Sequence, residues 1–185
     1  MQAYNNNLLH KISRHVKNGG IIAYPTEFCY GFGCDPFNYK AVSQILKIKK
    51  RSKSKGLIII AANITQLDKL IMPLSTTDIK KLKRFWPGFY SLILPSKLNI
   101  PHILTGEHRQ IAVRVSKHDL VNQICNFMNS PLVSTSCNLS GHKPIKSYRE
   151  CIRIFGKKVM VLPGLTNFAK HPSTIIDWKT GKIIR

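Results

Sequence analysis

Four short segments hold the polar residues that could do chemistry in this chain. They are Pro25-Thr26-Glu27, Lys49-Lys50-Arg51, Arg114 within Ile111-Ala112-Val113-Arg114-Val115, and Ser134-Thr135-Ser136-Cys137-Asn138. Each follows or interrupts a short β-like apolar run, and together they offer hydroxyls and fixed cations instead of a catalytic acid. Thr26 brings a hydroxyl and Glu27 a charge at a strand end, where α/β sheets bind ligands; a plain turn with Thr26 as a helix cap accounts for the same residues. Lys49 to Gly56 holds five basic residues. Lysine acts there as a mobile point charge and arginine as a fork for phosphate or carboxylate, although cations also favour helix C-termini through the helix dipole. Arg114 alternates with Val113 and Val115, so it points to the opposite face. A half-buried arginine needs an anionic partner, and with carboxylates scarce the expected partner is a bound anion. Ser134 and Ser136 share one side of a strand end, and Asn138 can fold back to join them. Such a loop offers several neutral hydrogen bonds to phosphate or amino-acid groups, and an ordinary Ser/Asn turn has the same composition.

The acids narrow the chemistry further. The eight carboxylates are Glu27, Asp35, Asp68, Asp78, Glu107, Asp119, Glu150 and Asp177. None stands at a spacing that builds a carboxylate pair for glycoside chemistry or a DxD metal site, and no metal ligands are assigned. Catalysis must then rest on positioning and positive charge. No G-x-x-x-x-G-K-[ST], H-E-x-x-H or G-x-S-x-G is present, and Gly31-Phe32-Gly33 lacks the third glycine of a dinucleotide fingerprint. Residue types alone reach as far as an anion-binding α/β pocket.

The elements that must position these residues follow from periodicity. A helix is expected over Leu8 to Val16, ended by Gly19 and Gly20, and a buried strand over Ile21 to Tyr24, broken by Pro25. Asn38 caps a helix carrying Ala41, Val42, Ile45 and Leu46. Leu57 to Ala62 reads as a strand apolar on both faces. Thr65 with Asp68 suggests a capping box for a short helix through Ile71, and a further helix carries Ile79, Leu82 and Phe85. Strands over Phe89 to Leu94 and Ile111 to Val115 flank a long loop, Pro95 to Gln110, suited to cover a site. A helix carrying Leu120, Val121, Ile124, Cys125 and Met128 then leads to a strand from Leu132. Ser147 and Glu150 form the capping box of a helix carrying Ile152 and Phe155. Three closely spaced terminal strands, Val159 to Leu162, Thr174 to Asp177 and Lys182 to Ile184, are expected to run antiparallel. This interleaving is that of one α/β domain with a mixed sheet over residues 1–185.

With 185 residues and a 43% hydrophobic share, the chain is long enough for a real core. The longest apolar stretch, Leu57 to Ala62, is too short to span a bilayer. Met1-Gln2-Ala3-Tyr4-Asn5-Asn6-Asn7 shows no signal peptide, so a cytoplasmic location without membrane contact is expected. Five cysteines in no paired spacing read as free thiols packed as small hydrophobes. The balance of 29 Lys and Arg against 8 Asp and Glu, +21 in all, attracts polyanions. A non-catalytic RNA-binding module is therefore the competing reading. It predicts affinity that falls steeply with salt, and no RRM, KH, zinc-finger or helix-turn-helix signature accompanies it.

The segments, in this order, resemble the YrdC/TsaC family of threonylcarbamoyl-AMP synthases. The resemblance runs through Ile21-Ile22-Ala23-Tyr24-Pro25-Thr26-Glu27, Lys49-Lys50-Arg51, Lys55-Gly56-Leu57 and Phe85-Trp86-Pro87-Gly88. It continues through Ala112-Val113-Arg114-Val115, the Ser134 to Gly141 loop and Pro172-Ser173-Thr174-Ile175-Ile176-Asp177. It implies the single-domain bacterial type: a twisted mixed sheet flanked by helices, with a concave, positively charged cavity. The implied reaction joins L-threonine, bicarbonate (or CO2) and ATP, with Mg2+ present, into threonylcarbamoyl-AMP and pyrophosphate. Partner proteins then use the product to modify tRNA, and weak direct tRNA affinity is compatible with catalysis.

By the same resemblance Thr26 hydrogen-bonds the threonine substrate, and Arg114 with Ser173 holds its carboxylate. Lys49 and Arg51 match a K-x-R pattern that neutralises the triphosphate and the charge developing at the α-phosphorus. Ser136 and Asn138 match an S-x-N that contacts the nucleotide phosphates, Ser134 and Lys55 line the pocket, and Arg185 resembles an arginine closing the last strand. Three positions depart from the pattern: Ser52 stands for a proline, Cys137 for an alanine, and Phe28 follows Pro25-Thr26-Glu27.

Overall fold

Short runs of Ile, Val and Leu recur between helical segments, and in the computed structural model they assemble one mixed eight-stranded sheet. Residues 3–167 and 169–185 are described; Met1 and Gln2, the start of the stretch read as lacking a signal peptide, lie outside them. In chain order the elements are α1 (Asn6–Lys17), β1 (Ile22–Pro25), β2 (Tyr30–Gly33), α2 (Tyr39–Lys49), β3 (Ile58–Ala61), α3 (Thr76–Leu82), β4 (Tyr90–Pro95), α4 (His102–Thr105), β5 (Gln110–Val115), α5 (Asp119–Met128), β6 (Leu132–Ser136), α6 (Tyr148–Phe155), β7 (Met160–Val161) and β8 (Thr174–Asp177). The strand order is β7-β1-β2-β6-β3-β5-β4-β8. The pairs β1–β7, β3–β5 and β4–β8 are parallel; β1–β2, β2–β6, β3–β6 and β4–β5 are antiparallel.

Alternation along the strands divides the core in two. Ala23, Phe32, Ile59, Leu92, Val113 and Val133 point to one face, beneath α2, α3 and α6. Ile22, Tyr24, Ile60 and Leu132 point to the other, where α1 and α5 cover them. That second cover is partial: α1 and α5 lie over the part of the face around β1 and the Ile60 end of β3, and the remainder of that face stays open. Apolar side chains at helical spacing hold the cover in place, with Leu9, Ile12 and Val16 of α1 and Leu120, Val121, Ile124, Cys125 and Met128 of α5 buried.

Two expected caps are present. The Asn38 Oδ1 accepts from Ala41 N at 3.0 Å, and the Ser147 Oγ from Glu150 N at 3.2 Å. Other expectations are corrected. Thr65 does not cap a helix: Ile64–Leu67 is a 3-10 turn capped by Asn63, whose Oδ1 accepts from Gln66 N and also from the Thr65 hydroxyl. On α6, Cys151 and Phe155 form the buried stripe while Ile152 is exposed, because positions four apart share a face. The terminal strands do not form one antiparallel group. β7 and β8 occupy opposite edges, each parallel to its neighbour, and Lys182 to Ile184 contributes one antiparallel bridge, Ile176 to Ile183. Parallel pairing needs long connections, which the segments between these strands and their partners supply. The loop from Pro95 to Gln110 contains α4, tied down where Leu57 N donates to Leu104 O at 2.8 Å.

All five cysteines are free and buried. Among the described residues no helix is long and apolar enough to cross a membrane.

Candidate functional site

A row of side chains crosses the open part of the second face: Ser134 on β6, Ile58 on β3, Ala112 on β5, Ile93 on β4 and Asp177 on β8. Arg114 follows Ala112 on the same side of β5, beside Ile60. A cavity of about 680 Å³ lies over this floor, a volume within the usual range for small-molecule sites. Thr26, Arg51, Lys55, Arg114, Ser134, Ser136, Ser173 and Arg185 all line it. Lys49 and Asn138 lie in a smaller adjoining pocket of about 390 Å³, whose walls also include Arg51, Lys55 and Ser136.

The turn after β1 supplies Thr26 and Glu27. Thr26 closes the turn by donating its hydroxyl to Cys29 O at 2.7 Å, so the oxygen retains only acceptor capacity for a ligand. Glu27 is buried and takes three donors: Arg114 Nη2 at 2.9 Å, Ser116 Oγ at 2.8 Å and Lys117 N at 3.3 Å. Arg114 therefore has an in-chain partner, correcting the expectation that a bound anion alone would satisfy it. Alternation did foretell its burial, and Glu27 meets the need for a counter-charge. The Phe89 ring lies under the guanidinium, 5.3 Å from its carbon. The Arg114 Nε has no hydrogen-bond partner. Beside it Ser173, buried on the cavity wall, shares a 2.9 Å hydrogen bond with Ser91.

Lys49, the last residue of α2, is almost completely buried. Its ammonium donates to Ser136 O, to Asn138 O at 3.0 Å and to Asn138 Oδ1 at 2.9 Å, which uses all three N–H donors. The Ser136 hydroxyl donates to the same Asn138 Oδ1 at 2.7 Å, and Ser140 N to Lys49 O at 2.8 Å. Lys49 thus holds the hydroxyl-rich loop in shape. Burial first, then the neighbouring charge of Arg51, pull its pKa down to about 8.

Arg51 Nη2 braces the turn Lys53–Lys55 by donating to Lys55 O at 3.2 Å and Gly56 O at 3.0 Å, while its Nε is buried without a partner. Ser52, where the resembled family has proline, caps this turn by accepting from Ser54 N at 3.2 Å. Arg185 donates to Ser173 O at 3.3 Å. Burial, and then the charge of Arg185, push the Arg51 guanidinium below its ordinary value; burial and the charge of Arg114 do the same to Arg185. Arg185 therefore lies close enough to Arg51 and to Arg114 for each pair to repel beside one cavity, and Glu27 is a buried carboxylate that pairs with Arg114. Such a site favours an anion.

Among the described residues no group of three or more His, Cys, Asp or Glu is placed to hold a metal. Glu27 is already committed to its three donors, and Asp177 Oδ1 accepts from Thr180 N at 2.9 Å. Several lining residues were not singled out from the sequence: Phe89, Leu104, Thr105, His108, Gln110 and Ala112. Ser116 was also missed, although its spacing of two from Arg114 places both on one side of β5 and its extension.

The model of the Sua5/YciO/YrdC family, described as telomere recombination, matches residues 14–185. The chain is 44% identical to the threonylcarbamoyl-AMP synthase of Methylobacillus flagellatus over 94% of its own length and 97% of that protein's. It is 42% identical to the threonylcarbamoyl-AMP synthase of Yersinia pestis over 100% and 98% of the respective lengths. The fold matches that of P. abyssi Sua5 complexed with L-threonine, with a TM-score of 0.89 at 27% identity. All of this chain is aligned there, but it spans about half of that longer chain, 55%.

Proposed function

We propose, because this chain belongs to the Sua5/YciO/YrdC family, that it is a threonylcarbamoyl-AMP synthase acting as one domain over residues 1–185. It joins L-threonine, bicarbonate (or CO2) and ATP into threonylcarbamoyl-AMP and pyrophosphate, a nucleotidyl transfer. The observation that carries the reading is the crowding of Arg51, Arg114 and Arg185 around one cavity floored by Ile58, Ala112 and Ile93. That combination suits a ligand with an apolar, flat portion and more than one anionic group.

The chemistry needs little acid–base help. The threonine amine takes up CO2 to give N-carboxythreonine and releases one proton. A carboxylate oxygen of that carbamate then bonds to the α-phosphorus, the bond from that phosphorus to the β-bridging oxygen breaks, and pyrophosphate leaves with the electron pair. The obstacle is that an anion attacks an anion. Bringing unit charges to about 4 Å costs roughly 1 kcal/mol in water and about 4 kcal/mol in a partly buried site. Arg51, Lys55 and Arg185 offset that repulsion beside the triphosphate, and Lys49 adds its charge through the Ser136–Asn138 loop that it shapes. Ser136 and Asn138 meet the phosphates. Arg114 and Ser173 take the threonine carboxylate, Thr26 accepts from the substrate, and Ser134 lines the pocket between. Magnesium enters with the nucleotide as MgATP, held by phosphate oxygens and water. The product feeds tRNA modification through partner proteins in the cytoplasm. A purely RNA-binding role does not explain why guanidiniums gather inside a cavity.

The test is pyrophosphate release from MgATP and bicarbonate, with and without L-threonine, together with detection of the adenylate by mass spectrometry. Release that depends on threonine is expected. Lys49→Ala and Arg51→Ala should each lower kcat/KM by a factor on the order of 10²–10³ in protein that remains folded. Near-wild-type turnover in either variant would sink the site assignment.

A further inference from the structure

We propose that Glu27 is a positioning residue for the threonine site: its anchored carboxylate fixes the Arg114 guanidinium that receives the substrate's carboxylate. This rests on the synthase reading above and concerns a buried acid that the reaction itself does not use. Glu27 is not a loose counter-ion. Besides Arg114, its carboxylate accepts from Ser116 Oγ and Lys117 N, and its main-chain oxygen accepts from Ala169 N at 2.9 Å. The turn carrying it is closed by the Thr26 hydroxyl on Cys29 O. Its position is therefore set independently of Arg114, and Arg114 is set by it.

Two contacts then orient the guanidinium. Glu27 takes Nη2 at 2.9 Å, and the Phe89 ring lies against the face. An arginine carries five N–H donors in a rigid fork, so one committed donor leaves others, and Arg114 lines the cavity, although its Nε is itself buried without a partner. The pairing also neutralises Arg114 locally in a cavity already rich in cations. Selection of a carboxylate at this place then depends on the fork's direction more than on surplus charge. A displaceable counter-ion would compete with the substrate; a fixed one orients without competing.

Glu27→Gln in the full chain keeps the size of the side chain but turns an N–H2 toward at least one of three donors. Steady-state kinetics should show KM for L-threonine raised roughly ten- to hundredfold, with KM for ATP changed by less than about twofold. In an Arg114→Met background, where the partner is absent, Glu27→Gln should lower kcat/KM no further. Equal rises in both KM values, or a full additive loss in the double variant, would overturn the proposal. Ser116→Ala, which keeps the ion pair and removes one of its anchors, decides the matter where Glu27→Gln does not fold. A threonine-selective rise of about two- to tenfold supports the proposal, and an unchanged KM overturns it. Failure of the synthase reading looks different, because the unmodified protein then shows no threonine-dependent pyrophosphate release at all.

Discussion

Lys49 shows how a single charge can be read from its surroundings. Its three N–H donors meet Ser136 O, Asn138 O and Asn138 Oδ1, and its pKa is lowered to about 8 from an ordinary 10.5. Loss of the proton leaves two donors for three acceptors and withdraws positive charge from the Ser136–Asn138 loop. We therefore expect kcat/KM to fall as pH rises through about 8, and Lys49→Met to lack that descending limb. Stability moves the other way. The unfolded chain keeps this proton up to 10.5 while the folded chain gives it up near 8, so over that interval unfolding takes up a proton. The contribution of Lys49 to stability accordingly increases with pH. Thermal melts across the same range separate the two: a fall in Tm that tracks the lost activity would assign the limb to unfolding instead.

At the scale of elements, the cavity wall depends on how α4 meets the turn Lys53–Lys55. Gly106 adopts φ +72° after α4, and a Cβ there would collide with Ser54 O and stand 2.8 Å from Gly56 N. A side chain at this position is strained twice, by the backbone conformation and by the contact. Gly106→Ala should cost about 1–3 kcal/mol in denaturant unfolding. Because Arg51 grips Lys55 O and Gly56 O of the same turn, KM for ATP should rise more than KM for L-threonine. An unchanged unfolding midpoint would show that the α4 contact yields freely. From the sequence Pro95 to Gln110 reads only as a covering loop, since four residues of helix produce no periodic signal. The packing that makes it a wall, Leu57 N on Leu104 O, joins segments about fifty positions apart.

For the whole molecule the dominant property is a net charge of +21. Lys49 and Arg114 are the buried cations among the described residues, so most of the surplus acts from the surface as a long-range field. Such a field speeds the arrival of an anion and is screened by salt. The association rate of MgATP, measured by stopped flow, should fall severalfold between about 0.05 and 0.3 M ionic strength, while kcat changes little. A rate indifferent to salt would leave the surface charge without a part in substrate capture. The same series with tRNA would show how steeply any affinity for the polyanion depends on salt.

The sequence alone determined what is local. Periodicity placed α1, α2, α5 and the strands β3, β4, β5 and β6 but gave no sign of β2, Asn38 and Ser147 announced their helices, and alternation put Arg114 opposite Val113 and Val115 on a buried strand. These signals survive because they depend on spacings of two to four residues. The tertiary structure decided which groups meet: Glu27 with Arg114 across 87 positions, and Lys49 with Asn138 across 89. It also decided that β7 and β8 lie at opposite edges and that α1 and α5 leave part of one sheet face open. Strand order and helix cover are settled by burying both faces of the whole sheet at once. No short window of sequence contains that constraint, and the cavity is the portion of the sheet that the helices leave uncovered.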